Sequence, residues 1–123
     1  MRKLLIVDDE DGVRSLVRMT LDSDTYQIFE ASGGQEALEL AREHHPDLVL
    51  LDVMLPDLSG IEICRQLKAD PLMSSTSIVM LTAKAQHGDL GDAEEAGADD
   101  YFTKPFSPIA LMQKVETILG SAS

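Results

Sequence analysis

The chain has 123 residues, 44% of them hydrophobic and 26% charged, which is the size and balance of one globular domain and excludes a disordered segment. Its 10 Lys and Arg against 22 Asp and Glu leave a net charge of −12, so nucleic-acid backbones and anionic lipid surfaces are repelled and neither is expected as a direct partner. Cys64 is the only cysteine, which excludes an internal disulfide or a multi-cysteine metal cluster and leaves it as a small core hydrophobe. From the amino terminus, Met1-Arg2-Lys3 leads into the apolar run Leu4 to Val7, which stops at two aspartates. The run is too short for a signal peptide or a membrane span, and a cytoplasmic location is expected.

Leu4 to Val7 is continuously apolar, as a strand covered on both faces must be. Val13, Leu16, Val17 and Leu21 then mark a helical stripe, and Tyr26 to Phe29 a weaker strand nearer a sheet edge. Gly33-Gly34 lacks the spacing of a dinucleotide fingerprint and reads as the start of a second helix after Ser32. That helix carries Ala37, Leu38 and Ala41 and ends at His44-His45 before Pro46, where cations suit a helix C-terminus. Leu48 to Leu51 is a second covered strand, Ile61, Cys64 and Leu67 a third helical stripe, and Ile78 to Leu81 a third covered strand. A fourth, weakly periodic helix is predicted from near Gly88 to Ala96, closed by Gly97. Tyr101 to Thr103 is the last strand. The last helix has Ser107 as N-cap, Pro108 in its first turn, and Met112, Val115, Ile118 and Leu119 on its apolar face. Glu94-Glu95 and Asp99-Asp100 read as solvated faces.

Strand and helix alternate five times, which with right-handed crossovers gives an α/β doubly wound parallel sheet with helices on both faces, a single domain over residues 1–123. Ligands of such sheets bind beyond the carboxyl ends of the strands. Asp8, Asp9 and Glu10 follow the first strand, Asp52 the third, Thr82 the fourth, and Lys104 and Pro105 the fifth. Carboxylates gathered at one mouth resist ionisation unless a cation neutralises them, and oxygen-only donors select a hard ion such as magnesium or manganese. A carboxylate beside such an ion, faced by a hydroxyl and an ammonium, has what phosphoryl transfer to an aspartate needs. Asp52, alone at its strand end, is the nucleophile candidate, with Asp8 and Asp9 placed as ligands.

The order Asp8-Asp9, then Asp52 within Leu51-Asp52-Val53-Met54-Leu55-Pro56-Asp57-Leu58-Ser59-Gly60, then Thr82-Ala83, Gly97-Ala98-Asp99-Asp100-Tyr101 and Lys104-Pro105-Phe106 resembles the bacterial response-regulator receiver domain, over about Lys3 to Leu119. The resemblance implies a flavodoxin-like five-stranded sheet of order 2-1-3-4-5 with five helices. It implies Asp52 as phospho-acceptor, Asp9 as a direct ligand of Mg2+ (Mn2+ can substitute) with Asp8 assisting, and Met54 lending its backbone carbonyl. Thr82 and Lys104 are implied to hold the phosphoryl group, with Tyr101 as the aromatic partner of Thr82 in the switch and Lys104-Pro105 joined by a cis peptide bond. A sensor histidine kinase or histidine phosphotransfer protein is the implied donor. A downstream protein is the implied target, through the face of the fourth helix, fifth strand and last helix.

At the two positions that the resemblance implies tune phosphoryl lifetime, Met54 and Lys84, two residues past the acceptor and the threonine, neither residue offers a carboxylate or amide to orient an attacking water, so slow self-dephosphorylation is expected. The Leu-Pro-Asp-Leu-Ser-Gly and Gly-Ala-Asp-Asp-Tyr wording resembles receivers joined to winged-helix DNA-binding domains. Those often pair through charges on the last strand and helix, where this chain keeps chiefly Asp100 and Lys114. The expected role is phospho-acceptor, not turnover enzyme. An aspartyl phosphatase would want a second aspartate where Met54 stands, and a phosphorylation-independent binding module would lack part of the pocket. A receiver cut from a larger transcription factor or hybrid kinase would read the same way.

Overall fold

The computed structural model describes residues 2–22, 24–82, 97–103 and 107–120, and of Thr82 the backbone only. In chain order these form β1 (Arg2–Val7), α1 (Asp11–Leu21), β2 (Tyr26–Ala31), α2 (Gly34–His44), β3 (Leu48–Asp52), α3 (Gly60–Ala69), a 3-10 turn at Pro71–Met73, β4 (Ser77–Thr82), β5 (Asp100–Thr103) and α4 (Pro108–Leu119). The five strands are all parallel, in the order β2-β1-β3-β4-β5, so the three continuous apolar runs lie at the centre and the two weaker ones at the edges. Four α-helices stand among the described residues, and the helix expected between Gly88 and Ala96 falls outside them.

Alternation along each central strand divides the core in two. Leu5, Val7, Val49, Leu51, Ile78 and Met80 face α2 and α3, meeting Ala37, Leu38, Ala41, Ile63, Cys64 and Leu67. Leu4, Ile6, Leu48, Leu50, Val79 and Leu81 face α1 and α4, meeting Val17, Leu21, Leu111, Val115 and Leu119. Fully burying one such side chain stabilises the fold by roughly 1.5–3 kcal/mol. The helical stripes read from sequence are offset in places. Leu16 is 43% and Met112 37% exposed, while Ile63 and Leu111, outside the expected stripes, are buried. Cys64 is a core residue as expected, and burial pushes its thiol up to about 11.

Helix ends follow the local chemistry. Ser107 accepts from Ala110 N–H at 3.3 Å with Pro108 in the first turn of α4, and His45 closes α2 in the left-handed region at φ 50°. Gly97 has φ +98°, a backbone region that favours glycine.

Asp99 and Asp100 are not merely solvated. Asp99 accepts from Ile78 N–H at 2.7 Å and from Lys68 Nζ at 2.9 Å, and Asp100 accepts from Lys114 Nζ at 2.7 Å. An aspartate just before a strand is within reach of the neighbouring strand's first amides, which composition alone does not reveal. Among the described residues no helix is long and apolar enough to cross a membrane.

Candidate functional site

Strand register assembles the site. β1 and β3 pair up to Val7↔Leu51, so Asp8 and Asp52 stand one step further along adjacent strands. β3 pairs with β4 up to Asp52↔Leu81, and Thr82 follows, its backbone opposite Thr103 of β5. Asp52 is the last residue of β3 rather than the first of the loop, and Thr82 likewise ends β4. Both aspartates are withdrawn from solvent, Asp8 at 0% and Asp52 at 5% exposure. Val7, Leu51 and Leu81 beside them are buried apolar residues, so the carboxylates stand at the rim of a dry core.

Asp8, Asp9 and Glu10 bring one carboxylate oxygen each to within 4.8 Å of the others. Asp8 lies inside while Asp9 and Glu10 are exposed, which leaves the cluster open on one side. The turn is held by its own backbone, with Glu10 N–H donating to Asp8 Oδ1 at 2.9 Å. Arg14, one helical turn into α1, donates from Nη1 to the Asp8 carbonyl at 2.7 Å. Its Nε lies 3.4 Å from Glu30, which also pairs with Arg18 at 2.7 Å, and it contacts Asp11. Sequence reasoning passed over Arg14, whose partners Asp8 and Glu30 lie in the turn after β1 and in β2 and leave no periodic signal.

After β3, Met54 N–H donates to Asp52 Oδ1 at 3.2 Å, and Gly60 N–H returns to the Val53 carbonyl at 2.9 Å. Gly60 lies so close to the acceptor strand that a Cβ there would sit 2.0 Å from the Asp52 carbonyl oxygen. Only glycine lets α3 start against the end of β3. Met54 turns its side chain outward, 74% exposed, and Tyr101 on the edge strand is 44% exposed. Lys104 and Pro105, and with them the expected cis peptide bond, lie outside the described residues, as does the Thr82 side chain.

The donor set suits a small hard cation. It consists of carboxylates, one of them fully buried and two exposed, with no described Cys or His among them.

Residues 4–116 match the response regulator receiver domain. The chain is 48% identical over 118 residues to the alkaline phosphatase synthesis transcriptional regulatory protein PhoP of Bacillus subtilis, covering 96% of this chain and 48% of that protein. It is 45% identical over 121 residues to the transcriptional regulatory protein ResD of the same species, covering 98% and 49%. The chain thus spans about half the length of the curated relatives it matches. Among solved structures, Vibrio cholerae chemotaxis protein CheY4 is 30% identical with a TM-score of 0.89, over 96% of this chain and 98% of that one. The chain belongs to the response regulator receiver domain family, and its place is in phosphorylation-based two-component signalling.

Proposed function

We propose that Asp52 is the phospho-acceptor and that the chain works as a switch rather than a turnover enzyme. The observation that carries this reading is the register that sets Asp52 beside Asp8 on adjacent strand ends, with Asp9 and Glu10 clustered around Asp8. Asp8, Asp9, Asp52 and the Met54 carbonyl would hold Mg2+, or Mn2+ in its place, which supplies charge neutralisation for the phosphoryl oxygens. An Asp52 carboxylate oxygen attacks phosphorus as the P–N bond of a donor phosphohistidine breaks. The products are an acyl phosphate on Asp52 and a free imidazole on the donor. Lys104 and the Thr82 hydroxyl are the proposed partners of the phosphoryl oxygens, Lys104 as a point charge and Thr82 as a hydrogen-bond donor.

The donor is a sensor histidine kinase or a histidine phosphotransfer protein. The names of PhoP and ResD make transcriptional control the proposed output, delivered through a protein target and not by this domain binding nucleic acid. In the switch, Thr82 moves toward the phosphoryl group and Tyr101, half exposed on the edge strand, turns inward. The outward Met54 side chain offers no group to activate water at Asp52, so the phosphorylated form should be long-lived.

Incubation with acetyl phosphate and Mg2+, followed by tryptic mapping, tests the acceptor. A phosphoryl group on Asp52 supports the reading, whereas one found only elsewhere ends it. For the switch, a Thr82→Ala variant that keeps full phosphorylation-dependent partner binding would count against the Thr82–Tyr101 coupling.

A further inference from the structure

The segment from Val53 to Gly60 forms a closed ring beside the acceptor. Its ends are joined by the Gly60 to Val53 hydrogen bond at 2.9 Å, and its base is tied to β4 by Val53 N–H donating to the Leu81 carbonyl at 3.1 Å. Packing holds the rest loosely. Met54, Pro56, Asp57 and Ser59 are exposed, Leu55 and Leu58 lean only partly on the core, and an open pocket of about 280 Å3 runs under the ring.

On the ring's far side Leu58 packs against Gly34 of α2, and one side chain ties the ring to that helix by hydrogen bonds. Asp57 Oδ1 accepts from Gly34 N–H at 2.7 Å and Oδ2 from Gln35 N–H at 3.0 Å, while Leu58 N–H donates to Oδ1 at 2.9 Å. Gly34 and Gln35 open α2, whose N-cap residue Gly33 has no side chain to cap with. A carboxylate 23 residues downstream therefore caps α2, at the helix end where negative charge is favoured. The Gln35 and Gly34 amides hold the Asp57 carboxyl below its usual range.

We infer that Asp57 is a positioning residue for the cation site, fixing the Met54 carbonyl by fastening the ring that carries it to α2. This rests on the proposed role of the Met54 carbonyl as a ligand. With Asp57 truncated, Met54 to Pro56 gains backbone freedom that cation binding must remove, and affinity falls accordingly.

The test is Mn2+ affinity of the chain, read from the paramagnetic resonance signal of the free ion, alongside thermal melting without metal. Wild type, Asp57→Ala and Asp57→Ala combined with Gly33→Ser are compared. The added serine gives α2 a local cap and occupies space that Asp57 vacates, since a Cβ on Gly33 would lie 3.3 Å from Asp57 Oδ1. Asp57→Ala is expected to weaken Mn2+ binding about tenfold, the low end of what outer-shell partners contribute. The double variant should recover melting temperature but not affinity. Recovery of both, or unchanged affinity in Asp57→Ala, would show that Asp57 only stabilises α2 and would overturn the inference. Failure of wild type to bind Mn2+ would overturn the cation reading, and this inference with it.

Discussion

At the amino ends of the strands, Asp47 and Asp99 are each matched by the fold itself. Asp47 accepts from Lys3 N–H at 2.7 Å with Arg2 4.0 Å away, and Asp99 takes the Ile78 amide and the Lys68 ammonium. At the carboxyl ends, Asp8 too accepts from an amide, Glu10 N–H at 2.9 Å, but one carboxylate oxygen each of Asp8, Asp9 and Glu10 also lies within 4.8 Å of the others. The nearby Arg14 guanidinium spends a donor on the Asp8 backbone carbonyl. The same residue type thus has two uses. Where a carboxylate meets amides and cations of its own chain it is a structural tie, and where carboxylates also meet each other they form the donor set proposed above for a cation. Mutations at the amino ends should therefore cost stability and spare the chemistry, and those at the carboxyl ends should do the reverse.

Gly60→Ala is expected to have the largest effect and to break that separation. A Cβ 2.0 Å from the Asp52 carbonyl oxygen forces the backbones apart, costing about 3 kcal/mol or more and displacing the acceptor. Urea unfolding together with acetyl phosphate labelling would show losses in both stability and phosphorylation. Next, Asp99→Ala leaves the amide of fully buried Ile78 without its carboxylate partner, at a cost of about 2 kcal/mol. Thermal melting should fall while Mn2+ affinity stays within about twofold of wild type, because Asp99 lies at the far end of the sheet.

Acidification sharpens the comparison at Asp57. Its folded carboxyl is held below the ordinary value of 3.8 by the Gln35 and Gly34 amides. Its stabilisation is therefore complete above that value and lost as pH falls through the lower folded one. Asp57→Asn should remove this component, so the urea midpoints of variant and wild type converge below about pH 4. The smallest expected change is a gain. Asp9→Asn relieves like-charge crowding on an exposed residue and should raise metal-free stability by about 0.5 kcal/mol or less. The same variant should lose more Mn2+ affinity than the roughly 10- to 100-fold typical of outer-shell changes, which titration of the metal would read directly.

These contrasts also mark what the sequence made legible. The central strands Leu4–Val7, Leu48–Leu51 and Ile78–Leu81 could be read because burial on both faces demands unbroken apolar runs. Sheet order came with the family resemblance, since no local pattern carries it. Asp8, Asp9 and Asp52 stood out because strand ends concentrate function in this architecture. Asp57 and Asp99 did not, because their partners lie 23 and 21 residues away and exist only in the folded chain. Helix faces were readable to within one residue. At Leu111 against Met112, both apolar, packing against α1 and the sheet decides which is buried.

The site at which a phosphoryl group lands decides whether Asp52 is the acceptor. Intact mass and tryptic mapping of wild type and Asp52→Asn, after exposure to acetyl phosphate and Mg2+, should show a single adduct on Asp52 that is absent from the variant and is suppressed by chelating the metal. An equal adduct on both proteins, or none on wild type under any divalent metal, would contradict the assignment of Asp52 as the acceptor beside this cluster.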